Sequence, residues 1–114
     1  MPKYVFEGIV LYTIEKHGCL NGVYTNEHKT NGGEIHNEIC RKINWKEQDQ
    51  NILEGLYDCF FFDNNNERCN ATLEITRTNR IYYFSWKDFD SKKESFKGVG
   101  FKMNERQLVV HYTD

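Results

Sequence analysis

The sequence predicts an all-β fold, an antiparallel meander of about eight strands closed into a small barrel, with one short helix left open. Three observations point there. Glycine and aromatic residues recur together at Phe6-Glu7-Gly8, Gly22-Val23-Tyr24, Gly55-Leu56-Tyr57, Tyr82-Tyr83-Phe84-Ser85-Trp86 and Phe96-Lys97-Gly98-Val99-Gly100. Most of these segments alternate apolar and polar residues by two, the period of a strand with one buried face. Turn residues separate them at hairpin spacing, and closing the meander removes the exposed edges it would otherwise leave.

The first strand is expected from Lys3 to Glu15, with Phe6, Gly8, Val10 and Tyr12 on one face and Val5, Glu7, Ile9 and Leu11 on the other. His17-Gly18 turns the chain into a second strand, Leu20 to His28, which ends at the turn signal Lys29-Thr30-Asn31-Gly32-Gly33. In Glu34 to Ile43, Ile35, Ile39 and Ile43 oppose His36, Glu38 and Lys42. That pattern fits a strand, but the isoleucines also repeat by four, which keeps a short helix open here. After the polar stretch Lys46 to Asn51, a fourth strand runs from Ile52 to Asp63 and ends in Phe60-Phe61-Phe62, which alternates badly. Asp63 to Asn66 is a loop, and Cys69, Ala71, Leu73 and Ile75 then alternate cleanly with Asn70, Thr72, Glu74 and Thr76. A turn at Thr78-Asn79 leads to Tyr82, Phe84 and Trp86; the last pair is Ser95 to Met103 and Gln107 to Thr113, joined at Asn104-Glu105-Arg106.

At 114 residues this is one domain by size, residues 1–114, and with aromatics at 15% much of the core must be built from rings. Glu7 interrupts the only N-terminal stretch that could form the apolar centre of a secretory signal, and no apolar run approaches the roughly 20 residues of a membrane-spanning helix. The chain therefore reads as cytoplasmic, with no membrane partner. A net charge of −2 offers a phosphate backbone no general attraction, which argues against nucleic acid. The charge is uneven: residues 1–67 carry six Lys or Arg against eleven acids, and residues 68–114 carry nine against six. In a barrel this asymmetry leaves two readings open, two faces of opposite sign or, as the plainer one, uneven charge scattered over a solvated surface. Cys19, Cys40, Cys59 and Cys69 lack the C-x-x-C spacing of a zinc ribbon or redox site, and reduced thiols are the plain reading. Cys59 and Cys69 flank a hairpin turn, which leaves a Cys59–Cys69 disulfide open.

From Gly55 onward the order is Gly-x-Tyr, Leu73-x-Ile75, Tyr82-x-Phe84-x-Trp86, Phe96-x-Gly98-x-Gly100 and Leu108-x-Val110. It resembles a β-hairpin module of uncharacterised bacterial proteins and, more distantly, the calycin-like barrels of avidins and lipocalins. The resemblance covers about half the chain and implies an architecture rather than an activity. Where lipocalins carry Gly-x-Trp, this chain has Gly22-Val23-Tyr24, and the polar set that avidins commit to biotin finds no counterpart on these strands.

No residue set argues for chemistry. Glu27, His28, His36 and Glu38 flank one turn, but period-two geometry sets Glu27 and His28 on opposite faces, so a solvated polar hairpin is expected rather than a metal site. His17 lies in a turn, and His111 faces outward if Val110 faces inward; neither has a Ser or Cys partner for nucleophilic catalysis. The expectation is a non-catalytic binding protein without a cofactor, acting through its surface on a protein partner as an inhibitor, immunity or adaptor protein does. Trp45, Phe60, Phe61 and Phe89 are the candidate anchors in or beside polar loops. The alternative is a barrel that holds a small apolar or aromatic ligand among Tyr57, Tyr82, Phe84, Trp86 and Phe101.

Overall fold

Residues 7–27, 35–62 and 67–114 are described by a computed structural model. Eight strands follow one another around a closed barrel: β1 Glu7–Ile14, β2 Cys19–Asn26, β3 His36–Lys42, β4 Gly55–Phe62, β5 Arg68–Thr78, β6 Ile81–Asp88, β7 Glu94–Asn104 and β8 Gln107–Thr113. Every neighbour pairs antiparallel, and β8 returns to β1 with Val110 opposite Val10 and Leu108 opposite Tyr12. Because sequence neighbours are spatial neighbours all the way round, hairpin turns suffice to build the fold. The segment whose isoleucines also fitted a helix is β3.

The alternation read from the sequence decides which side chains enter the lumen. Val10 and Tyr12 of β1, Leu20 of β2, Tyr57 and Cys59 of β4, Leu73 and Ile75 of β5, Tyr82, Phe84 and Trp86 of β6, and Leu108, Val110 and Tyr112 of β8 form the core. Inward-facing glycines are what allow so many rings into a small barrel. A Cβ on Gly22 would lie 2.8 Å from the Tyr12 ring, so Tyr12 crosses β2 over bare backbone. Tyr112 crosses β1 over Gly8 in the same way, and a Cβ there would lie 2.6 Å from its hydroxyl oxygen. The recurring glycine–aromatic pairs are thus lumen pairs, in which a missing side chain on one strand makes room for a ring from the next.

The two ends of the barrel differ. One end carries the β1–β2, β3–β4, β5–β6 and β7–β8 connections. There His17 and Gly18 turn the chain with φ of 62° and 73°, and Asn79 turns it with φ of 58°. The long β3–β4 connection folds back over this end: the Tyr57 hydroxyl donates to the Leu53 carbonyl at 2.8 Å, Lys42 Nζ donates to the Ile52 carbonyl at 2.8 Å, and Leu53 is buried against the core. The opposite end is bounded by the start of β1, the end of β2, the start of β3, the end of β4 and the β6–β7 turn, and its inward side chains Tyr24, Asn26, His36, Phe61 and Phe96 are only partly buried. The first end also holds a cavity of about 480 Å³ beneath the β3–β4 connection, lined by Ile14, Leu20, Trp45, Leu53 and Tyr57 among others, and among the described residues the other, open end is the one whose inward side chains are least buried.

Among the described residues, no helix is long and apolar enough to cross a membrane. The expected turn at Lys29 to Gly33, the loop Asp63 to Asn66 and the start of the first strand lie outside the described residues.

Candidate functional site

β3 holds the main departure from the sequence reading. Its isoleucines face out, Ile35 at 74% exposure, and the residues turned into the lumen are His36, Glu38, Cys40 and Lys42. A solvated hairpin was expected for Glu38; instead it is 6% exposed and is the only buried charged residue among those described. Closure explains the inversion. In the β2–β3 register Glu38 stands opposite Gly22 and Cys40 opposite Leu20, so β3 shares the inward parity of β2 whatever its own apolar pattern prefers.

Glu38 sits within hydrogen-bonding reach of two rings. The Tyr12 hydroxyl, carried across β2 by the gap at Gly22, donates to Oε1 of Glu38, and the Trp86 indole N–H bonds to the same carboxylate. Both donors favour the charged form, yet burial outweighs them and pushes the carboxyl from its ordinary 4.5 up to about 7. No cation among the described residues forms an ion pair with it. Burial and then the Glu38 charge hold the Tyr12 phenol well above its ordinary range. Tyr112 is raised chiefly by burial, against the pull of the Asn26 amide, which donates to its hydroxyl at 3.0 Å.

Rings line the wall on the open side of Glu38. Tyr24 meets His36 at 5.5 Å between centroids, Phe61 at 6.2 Å and Tyr112 at 6.5 Å; Tyr112 in turn meets Trp86 at 5.8 Å and Phe96 at 5.9 Å. Six strands, β2, β3, β4, β6, β7 and β8, therefore each contribute one ring, and β5 contributes the smaller Cys69 and Ala71. Among the described residues the arrangement is a cup-like ring of mutually packed aromatic side chains with a carboxylate below it.

Cys40 and Cys59 form a disulfide across β3 and β4, with Cα atoms 4.2 Å apart. This corrects both the reduced-thiol reading, which holds for Cys19 and Cys69 but not for Cys40 and Cys59, and the Cys59–Cys69 pairing left open by the hairpin spacing: on β5, Ala71 stands opposite Cys59, and Cys69 stands opposite Phe61. Glu38, Cys40 and Cys59 offer ligand atoms within 4.8 Å of one another, but the disulfide occupies both sulfurs and leaves a single carboxylate, too few donors for a metal.

The anchors expected for a protein partner do not share a face. Trp45 packs against His17 at the covered end, Phe89 is exposed in the β6–β7 turn, Phe60 faces outward beneath Arg68, and Phe61 faces into the cup. Of the rings expected in a cavity, Tyr57, Tyr82, Phe84 and Trp86 do face inward; Tyr57 lines the cavity under the β3–β4 connection, at the end away from the Tyr24 and Phe61 rings. Phe101 is corrected to the outer wall, 51% exposed, because Gly98 and Gly100 take the inward positions of β7. Tyr12, Tyr24, His36, Glu38 and Tyr112 were missed as a group. The one signal available was that Cys40, a residue suited to burial, shares the parity of Glu38 on β3. His111 faces outward as expected, with Nε2 3.5 Å from the Glu7 carboxylate. No family model, curated protein or solved structure matches the chain.

Proposed function

We propose that the protein is a non-catalytic barrel that holds a small, largely apolar or aromatic molecule in its open end. The observation that carries this reading is the burial gradient. Tyr12, Leu20, Tyr57, Leu73 and Leu108 have essentially no exposure, whereas Tyr24, His36, Phe61 and Phe96 at the open end are partly exposed although they point inward. A barrel serving only as a rigid scaffold gains from being filled throughout, and the mouth of a β-barrel is a common position for a ligand pocket. The distant resemblance of the sequence to calycin-like barrels implies the same reading, at the level of architecture alone.

Native mass spectrometry of the protein isolated gently from its host tests this, with a mass excess of a few hundred daltons expected. Phe61→Ala should weaken retention of that molecule while leaving the core on the opposite half intact. A bare mass, together with Phe61→Ala having no effect on the binding of any added aromatic compound, would refute it.

A second reading, surface binding to a protein partner, is favoured by an apolar tract on the outer wall. Leu11 stands beside Val23 and Val109, Val109 beside Phe101, and Val99 beside Tyr83, which runs one tract over β2, β1, β8, β7 and β6. Val23, Phe101, Val99 and Tyr83 in it are exposed. Under this reading, Val99→Lys with Phe101→Ser abolishes capture of the partner and leaves ligand retention unchanged.

A further inference from the structure

This inference rests on the cup reading and concerns what the cup prefers. A carboxylate taken out of water needs compensation, and proteins commonly supply an internal Lys or Arg. Glu38 has two hydrogen-bond donors, Tyr12 and Trp86, but an ionised carboxylate offers about four acceptor positions. No cationic side chain among the described residues forms an ion pair with it; it is 6% exposed, and His36 is the next inward residue on its own strand, on the side of the Tyr24 and Phe61 rings. Around it stand the faces and edges of Tyr24, Phe61, Trp86 and Tyr112. Aromatic rings surrounding an uncompensated buried carboxylate are the composition of a site for an organic cation, because ring faces and carboxylate attract the same charge.

We infer that the molecule held in the cup carries a protonated amine, whose N–H groups bond to the Glu38 carboxylate while its apolar body lies against the Tyr24, Phe61 and Tyr112 rings. The ammonium supplies the counter-charge that the chain itself withholds. The titratable groups facing Glu38 are Tyr12 from β1, Tyr24 from β2, His36 from β3 and Tyr112 from β8; β4 contributes Cys59, already in its disulfide with Cys40. Binding requires the ionised carboxylate, so affinity should fall about 100-fold between pH 8 and pH 5 as Glu38 takes up its proton near pH 7.

The test uses three probes of one shape and different charge: 2-phenylethylammonium, 2-phenylethanol and 3-phenylpropionate. They are titrated at pH 8 while the indole N–H signals of Trp86, in the cup, and Trp45, at the covered end, are followed by NMR. The ammonium should shift Trp86 saturably, leave Trp45 unmoved and bind at least about tenfold more tightly than the alcohol, the scale of a hydrogen bond to a charged group. Glu38→Gln, with its fold confirmed by the dispersion of the same spectrum, should erase that preference. If the alcohol or the carboxylate binds as tightly, or if Glu38→Gln leaves the order unchanged, the inference falls and the cup reading stands. If no probe moves Trp86, both fall.

Discussion

Glu38→Gln should make the protein more stable at pH 8 and leave it nearly unchanged at pH 5. Burial raises the folded-state pKa of Glu38 to about 7, whereas an unfolded chain leaves it near 4.5. The folded protein therefore binds more protons than the unfolded one between these values, and stability falls as pH rises through that window. Below about 4.5 both states hold the proton and nothing is lost; above about 7 the loss is complete. A separation of about 2.5 units corresponds to about 3 kcal/mol. Gln has the shape of Glu and stays neutral, so the variant keeps an acceptor for Tyr12 and escapes the loss, less about 1 kcal/mol because its neutral hydrogen bonds are weaker. Urea unfolding of both proteins at pH 5 and pH 8 measures this directly. The difference between the two pH values should shrink in the variant by about 2 to 3 kcal/mol, equivalent to about 1 to 3 M in the wild-type midpoint shift. Other titrating groups are common to both proteins and cancel. If the variant shows the same pH dependence as wild type, or is less stable at pH 8, Glu38 is not a buried, uncompensated carboxylate and the reasoning fails.

Gly22→Ala should cost about 1 to 3 kcal/mol in thermal or urea unfolding, since the added Cβ meets the Tyr12 ring at 2.8 Å and Val10 at 3.1 Å. It should also move the Trp86 indole signal by displacing Tyr12 from Glu38. Reducing Cys40–Cys59 should cost about 3 kcal/mol, the loop-closure value for a separation of 19 residues, with the thiol count rising by two; an unchanged midpoint and count would refute the pairing. Leu73→Ala, at a fully buried position in the core, should cost about 2 to 5 kcal/mol. Phe101→Ser on the outer wall should cost no more than about 0.5 kcal/mol, and a loss as large as that of Leu73→Ala would place its ring inside the barrel.

The sequence by itself determined the number of strands, their order and most of their parity. Alternation over Val10 and Tyr12, over Leu73 and Ile75, and over Tyr82, Phe84 and Trp86 reports burial directly, because a strand has only two faces and only one meets the core. It also marked where rings and glycines meet, though not that Gly22 serves Tyr12 and Gly8 serves Tyr112, since those pairs join different strands. Only the tertiary structure decided the parity of β3. Local pattern favours burying the isoleucines, but the register with β2 and β4 turns Glu38 and Cys40 inward, and closure of eight strands outweighs the preference of one. The β3–β4 register set Cys40 against Cys59, and the pairing of β7 with β6 and β8 turned Gly98 and Gly100 inward and sent Phe101 outside. The carboxylate, the disulfide and the six rings of the open end come from strands far apart in sequence, so their meeting is a property of the closed barrel, which no local period encodes.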